Sequence, residues 1–191
     1  MVSKKPAMVS GAKMKLAEEV LKIVTDQSYQ KKPLIAGVKI VELKRHLAED
    51  GAFAEIVRFE RGKIVAPEEF RGFVVAQVNH SLMVPGTVKA WHLHQLQDEI
   101  WFVHPSACLI AGLLDVRTGS KTKNLTMRLS LGGGRACLLY IPCGVAHGLS
   151  NPYFGNATMT YLVSRHFDGS DEKRLPFDFG VNKDFWEIKK G

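Results

Sequence analysis

No apolar run in the 191-residue chain approaches the roughly 18 to 20 residues that a membrane-spanning helix needs, which argues against a membrane protein. Cysteine is scarce. Cys108, Cys137 and Cys143 are odd in number and share no C-x-x-C spacing, so they read as reduced thiols of a cytoplasmic protein and not as a disulfide framework. The basic stretch from Met1 to Lys15 is not followed by an apolar segment and a small-residue cleavage site, so a secretory signal is not expected. No segment repeats at a fixed period and none is of low complexity. Gly132-Gly133-Gly134 opens no helix, which removes a phosphate-loop reading. The net charge is +7, of which +4 sits in residues 1–32, and no basic stripe is interleaved with aromatics. Nucleic acid is therefore not an expected partner. A site for a small anion such as a sugar diphosphate fits the balance better.

What is present is mostly strand-like. Met14, Ala17, Val20, Leu21 and Val24 have helical spacing between Ala12 and Thr25, and Lys31 to Pro33 ends that pattern. From Ile35 onward, short runs rich in Val, Ile and Phe alternate with Gly, Pro and Asp clusters. Strands are expected near 36–43, 52–59, 72–79, 86–92, 99–103, 108–116, 124–130, 136–141 and 157–165. Regular turn signals with no alternating helices predict an all-β sandwich or barrel and disfavour a parallel α/β sheet. The chain divides into a basic N-terminal extension with an amphipathic helix, 1–32, and a β-barrel domain, 33–191. The tail after Asp168 is loop-like, and its aromatic cluster Phe177, Phe179, Phe185 and Trp186 is expected to pack back on the barrel.

The chemistry concentrates in two places. His92 and His94 are two residues apart, so on a strand both face one side, and Glu99 follows after a turn. Pro142-Cys-Gly144-Val-Ala-His147 reads as a strand leading into a turn whose Pro and Gly aim His147 inward. Three imidazoles and one carboxylate from neighbouring strands suit Fe, Mn, Ni, Zn or Cu. Trp91 and Trp101 are expected on the side opposite the His pair, as packing residues. His46, His80, His104 and His166 match no ligand spacing and read as bystanders.

The spacings G-x5-H-x-H-x4-E (Gly86, His92, His94, Glu99) and P-x-G-x2-H-x3-N (Pro142, Gly144, His147, Asn151) resemble the two cupin motifs, with Ser106 where that superfamily usually has Gly. The resemblance implies an all-β cupin or jelly-roll antiparallel β-barrel, here with an N-terminal helix. Gly37-Val-Lys-Ile, Phe53-Ala-Glu55, Gln77-Val-Asn79-His-Ser81, Asp115-Val-Arg117-x2-Ser120-x-Thr122, Ile141-Pro-x-Gly144-Val-Ala-His147-Gly148 and Tyr161 are similar, in that order, to dTDP-4-dehydrorhamnose 3,5-epimerases. That resemblance runs from about residue 35 to 178. It implies an epimerase of a nucleotide-linked 4-keto-6-deoxy sugar that abstracts a proton next to the ketone.

By position the family's base is His92 and its acid on the opposite face is Tyr161. Gln77, Asn79 and Glu55 match substrate-site positions, and Lys89 stands where the family has an Arg near the diphosphate. The family pairs its catalytic His with a C-terminal carboxylate, for which Asp178 is the candidate. Glu99 stands where the family has a Lys that steadies the enolate, and Asp50 stands in place of an Arg. If that Lys is lost, a divalent metal (Fe, Mn, Ni or Zn) on His92, His94, Glu99 and His147 is the expected source of positive charge. His92 would then be occupied, and Tyr161 or a metal-bound hydroxide would have to move the proton. A metal-dependent cupin enzyme (dioxygenase or sugar-phosphate isomerase) and a non-catalytic carbohydrate-binding cupin are the alternatives. Pairing of exposed barrel edges makes a homodimer the expected assembly.

Overall fold

The computed structural model describes residues 13–27, 30 and 32–189, and these fall into two units that meet at Lys32 and Pro33. Among the described residues of the first unit, helix is confined to α1 (Glu18–Leu21), a single turn with no buried residue. The helix expected from Ala12 to Thr25 is therefore shorter than its periodicity implies, and Ala12 itself lies outside the described residues. An isolated helix of this length is held only by packing of its apolar stripe. Here Val20, Leu21 and Val24 are all exposed.

The second unit is a sandwich of two antiparallel sheets. One runs β1 (Lys39–Glu42), β11 (Cys137–Ile141), β8 (Glu99–Val103), β13 (Ala157–Val163) and β6 (Gln77–Met83). The other runs β10 (Thr126–Gly132), β9 (Cys108–Asp115), β12 (Val145–Asn151), β7 (Thr87–Leu93) and β14 (Lys173–Arg174). Two hairpins lie outside these sheets: β2 (His46–Ala48) with β3 (Gly51–Phe53), and β4 (Arg58–Glu60) with β5 (Lys63–Ala66). Among the described residues no helix is long and apolar enough to cross a membrane.

Three apolar layers follow from the period-two alternation of the strands. Trp101, Val103, Leu139 and Met159 of the first sheet meet Leu109, Leu113, Leu131 and Leu149 of the second between the sheets. The outer face of the first sheet, with Ile100, Phe102, Leu138 and Leu162, is covered by Ile64 and Phe70. The outer face of the second, with Trp91, Leu114 and Ala146, is covered by Trp186 of the returning tail. Gly112 makes that last contact possible, since a Cβ there would come within 2.5 Å of the Trp186 ring. Of the expected tail cluster, Phe185 and Trp186 pack down, whereas Phe177 and Phe179 stay half exposed.

Three segments differ from the strand pattern read in the sequence. The expected strand 52–59 is the end of one hairpin and the start of another, and the strand expected at 72–79 lies at Gln77–Met83. The expected turn around His147 is instead β12. This strand lies between β9 and β7 and is buried on both faces, so it lacks the polar–apolar alternation that marks a half-exposed strand.

The Asp115 to Thr122 segment is a structural clamp. The fully buried Asp115 carboxylate accepts from Arg117 Nε at 2.9 Å, Ser120 Oγ at 2.5 Å and Thr122 Oγ1 at 2.7 Å. Hydrogen bonds from Arg117 foremost, opposed by burial, hold this carboxyl well below the usual carboxylate range.

Candidate active site

The His pair behaves as its spacing requires. His92 lies on β7 and His94 one residue beyond it, and both face a cavity of about 760 Å³ inside the sandwich. Gly144, at φ +77°, turns the chain from β11 into β12, and its N–H donates to the His94 carbonyl at 2.7 Å. That turn sets the register in which His147 lies directly opposite His92. Their rings stack at 6.3 Å, and the His94 ring lies 5.6 Å from that of His147. Glu99 opens β8 from the other sheet. Trp101, two residues on, shares its face, lines the same cavity and donates Nε1–H to Glu99 Oε2 at 2.5 Å. The expectation for Trp101 is corrected: its side is set by the parity of β8 and not by the His strand. Trp91 does point away from the pair, beneath the tail.

Glu99, His94 and His147 are almost fully buried. Burial pushes the Glu99 carboxyl upward. The neighbouring His147, with hydrogen bonds from His94 and Trp101, outweighs it and brings the group down to about 2. The two imidazoles respond oppositely. Burial drives His147 toward the neutral form, whereas at His94 burial is outweighed by Glu99 and the value rises. The charge opposing Glu99 therefore belongs on His94, the imidazole nearer to it: Nε2 to Oε1 is 3.3 Å, against 3.7 Å from His147 Nε2 to Oε2.

The partner of His92 comes from the tail. β14 pairs with β7 so that Arg174 lies opposite His92, which brings Glu172 alongside. Glu172 Oε1 is 2.7 Å from His92 Nδ1. This contact replaces the pairing expected from Asp178, which does not line the cavity. Asp171 fixes the same segment from below. Its carboxylate accepts the backbone N–H groups of Gln95 at 2.8 Å, Leu96 at 3.3 Å and Gln97 at 3.2 Å. No local spacing signals Glu172, because the contact closes over 80 residues of chain.

Tyr161 lines the same cavity from β13. Burial first, and the carboxylates of Glu99 and Glu172 second, push its phenol upward, so it stays protonated. Gln77 and Asn79 project from one face of β6 into the cavity, joined by a 2.5 Å hydrogen bond from Gln77 Nε2 to Asn79 Oδ1. Lys89 lies on the wall with Nζ donating to Ser81 Oγ at 3.0 Å and to the Leu82 carbonyl at 2.9 Å. Glu55 is not brought to the cavity. It sits on the exposed loop between the two hairpins, in a two-point ion pair with Arg58 at 2.7 Å. His166 does line the cavity, as do Arg165 and Arg174, and the sequence pattern marked none of these three.

The expected four-residue cation site splits. His94, Glu99 and His147 offer ligand atoms that all lie within 4.8 Å of one another. His92 is outside that group, with Nδ1 engaged by Glu172. Two imidazoles and a carboxylate suit a first-row divalent cation by ligand type.

Fold and site together define an epimerase of the jelly-roll class that acts on sugar nucleotides. Residues 32–182 match the family model described as dTDP-4-dehydrorhamnose 3,5-epimerase, and the chain belongs to that family. It is 37% identical over 147 residues to the spore coat polysaccharide biosynthesis protein SpsL of Bacillus subtilis, covering 76% of this chain and 91% of that protein. Similarity to the probable low-salt glycan biosynthesis epimerase Agl13 of Haloferax volcanii is 24% over 82% of this chain and 97% of that one. Among solved structures, the Legionella pneumophila dTDP-6-deoxy-D-glucose-3,5-epimerase, in complex with dTDP-4-keto-L-rhamnose, superposes with a TM-score of 0.66 at 25% identity over 80% of each chain. The fold is also that of NovW, a 4-keto-6-deoxy sugar epimerase from Streptomyces spheroides, with a TM-score of 0.68 at 24% identity over 83% of this chain and 80% of that one.

Proposed function

We propose that the protein inverts a stereocentre next to the ketone of a nucleotide-linked 4-keto-6-deoxy sugar, with His92 as base and Tyr161 as acid. The observation that carries this reading is the His92–Glu172 pair, sharing one cavity with Tyr161. With Nδ1–H donated to Glu172, the His92 ring presents Nε2 as the free basic nitrogen. Nε2 takes the proton from the carbon beside the ketone, and an enolate forms. Tyr161, kept protonated by its surroundings, returns a proton to that carbon from the other face. The positive charge that a developing enolate needs comes from the floor through His94, whose imidazole Glu99 draws toward the protonated form against the effect of burial. Lys89, Arg165 and Arg174 on the cavity wall supply the charge for a diphosphate, and Gln77 and Asn79 supply amides for the sugar nucleotide.

The protein acts in the cytoplasm, where nucleotide sugars are made, and as a homodimer. Two surfaces support the second point. Edge strand β6 turns Val78 and Leu82 outward, 57% and 49% exposed, and the β2–β3 hairpin, exposed throughout, carries Leu47 and Phe53 at 76% and 67%. An apolar edge strand and an uncovered two-stranded hairpin are each marginal in water and are stabilised by a second copy.

Incubation with dTDP-4-keto-6-deoxyglucose in heavy water tests the catalytic reading. Deuterium is expected at carbon next to the ketone with the native protein and not with His92→Asn. Absence of exchange with the folded native protein would sink it.

A further inference from the structure

We infer that Lys13–Thr25 is an amphipathic anchor that attaches the protein to a membrane surface carrying anionic lipid, lying in the headgroup layer as a helix. The inference concerns the first unit, goes beyond the epimerase reading and does not depend on it.

Helical hydrogen bonding has already begun in this segment. Leu21 N–H donates to the Ala17 carbonyl at 3.1 Å and Val24 N–H to the Val20 carbonyl at 2.8 Å. Extended over Lys13–Thr25 at about 100° per residue, such a helix gathers Met14, Leu16, Val20, Leu21, Ile23 and Val24 on one half of its circumference. Lys15, Glu18, Glu19 and Lys22 take the other half. The apolar side chains are between 38% and 83% exposed. Among the described residues, none of them joins an apolar cluster. A helix shorter than about 12–15 residues is marginal in water without packing, so the segment needs a cover and should lengthen as a helix when it has one.

Charge selects the cover. Residues 1–32 hold +4 of the chain's +7, from seven Lys against Glu18, Glu19 and Asp26. Lys15 and Lys22 lie on the polar half of the helix. Lys13 sits at its end, where a long stem carries the ammonium past the apolar face to the headgroups. Each Lys close to an anionic bilayer strengthens attachment about fivefold. Apolar burial on one half and charge attraction on the other is the combination that holds a helix in a lipid interface.

Length and pattern argue against the other covers. A helix over Lys13–Thr25 is about 20 Å long, short of the roughly 30 Å hydrocarbon core, so it lies on a bilayer and does not cross it. A coiled coil with a second copy needs a narrow seam, here Met14, Ala17, Leu21 and Val24, sustained over about three heptads or more. Lys13–Thr25 falls short of two heptads, and Leu16, Val20 and Ile23 widen the apolar half beyond a seam.

Vesicle sedimentation with the full chain tests the anchor without reference to turnover. The probes are vesicles of equal parts phosphatidylglycerol and phosphatidylcholine, and vesicles of phosphatidylcholine alone. The native protein is expected to pellet with the anionic vesicles and not with the neutral ones, and to be released as salt rises from about 0.1 to 1 M. Its helical signal in far-ultraviolet circular dichroism is expected to grow on binding. Val20→Glu with Val24→Glu on the apolar half, and Lys15→Glu with Lys22→Glu on the polar half, are each expected to weaken partitioning about tenfold or more. Both variants are expected to keep the native melting temperature, because the segment belongs to neither sheet and to no apolar cluster. A native protein that stays in solution with anionic vesicles overturns the inference, as does equal pelleting with neutral ones. Unchanged binding by either variant also overturns it and assigns the lipid contact to the barrel. A lowered melting temperature in either variant, or a changed sedimentation of Val20→Glu with Val24→Glu in the absence of lipid, assigns the apolar half to a protein surface and overturns it too. Solvent deuterium exchange on dissolved substrate is expected to be the same in both variants, so failure of the anchor and failure of the epimerase reading are read separately.

Discussion

Replacing Glu172 by Gln isolates the group that only the tail supplies to the site. The carboxylate holds His92 Nδ1–H at 2.7 Å, with the two side chains 24% and 29% exposed. A hydrogen bond with an ionised partner contributes about 1.5–3 kcal/mol, and partial exposure selects the lower half of that range, about 2 kcal/mol. At about 1.4 kcal/mol per tenfold, kcat is expected to fall about 30-fold. Gln keeps the volume, but its amide N–H can donate to Nδ1 and move the ring hydrogen to Nε2, the nitrogen that has to accept. Glu172 acts through His92 as a positioning residue, so KM is expected to stay within about twofold. Steady-state epimerisation and solvent deuterium exchange at neutral pH give both constants, and a thermal melt shows that the variant is folded. Asp178→Asn, at the carboxylate that does not reach the cavity, is the matched control and is expected to be silent. A folded Glu172→Gln protein within about threefold of native kcat, or an Asp178→Asn protein with the larger loss, refutes the argument.

Tyr161→Phe removes the acid and leaves the base, so deuterium exchange on one face of the substrate is expected to persist while epimerised product falls about 100-fold, read by proton NMR. Asp115→Asn weakens the Asp115–Arg117 clamp at a cost of about 3 kcal/mol, since a deeply buried anion loses its charge-assisted bonds. For a chain of this size that lowers Tm by about 6–12 °C in calorimetry. Because the folded value of Asp115 is depressed, its stabilisation is complete above the unfolded value near pH ~4 and is lost as pH falls below it. The melting difference between native and Asp115→Asn proteins should therefore narrow in acid, and a constant difference from neutral pH down to about pH 3 would contradict the assignment. Val78→Lys with Leu82→Lys places charge on the outward face of β6 and is expected to convert a sedimenting dimer to monomer. A native protein already monomeric at about 10 μM rules that interface out.

How much of this was legible in the chain depended on whether the signal was local. Period two put His92 and His94 on one face, and the Pro142–Gly144 turn aimed the next strand so that His147 meets them. Turn punctuation and the absence of alternating helices led to an antiparallel sandwich, and β8 fell where its Val, Ile and aromatic run ended in Pro105. Motif spacing carried the family, and with it Tyr161, Gln77 and Asn79 on the cavity wall.

Tertiary structure decided what depends on which distant elements pack together. Trp186 seats on Gly112, and the tail it ends runs along β7, pairing there and delivering Glu172 to His92 across 80 residues. The same pairing divides four ligand-type residues into a base–carboxylate pair and a buried cluster of three, a division that spacing along β7 does not contain. β12 was hidden because a strand covered on both faces loses its alternation, and Glu55 lies away from the cavity because the hairpins flanking it belong to neither sheet. A sequence encodes through its periodicity which way each side chain faces. Which faces come together is fixed by the burial of apolar surface between segments far apart in the chain, and that is a property of the folded molecule.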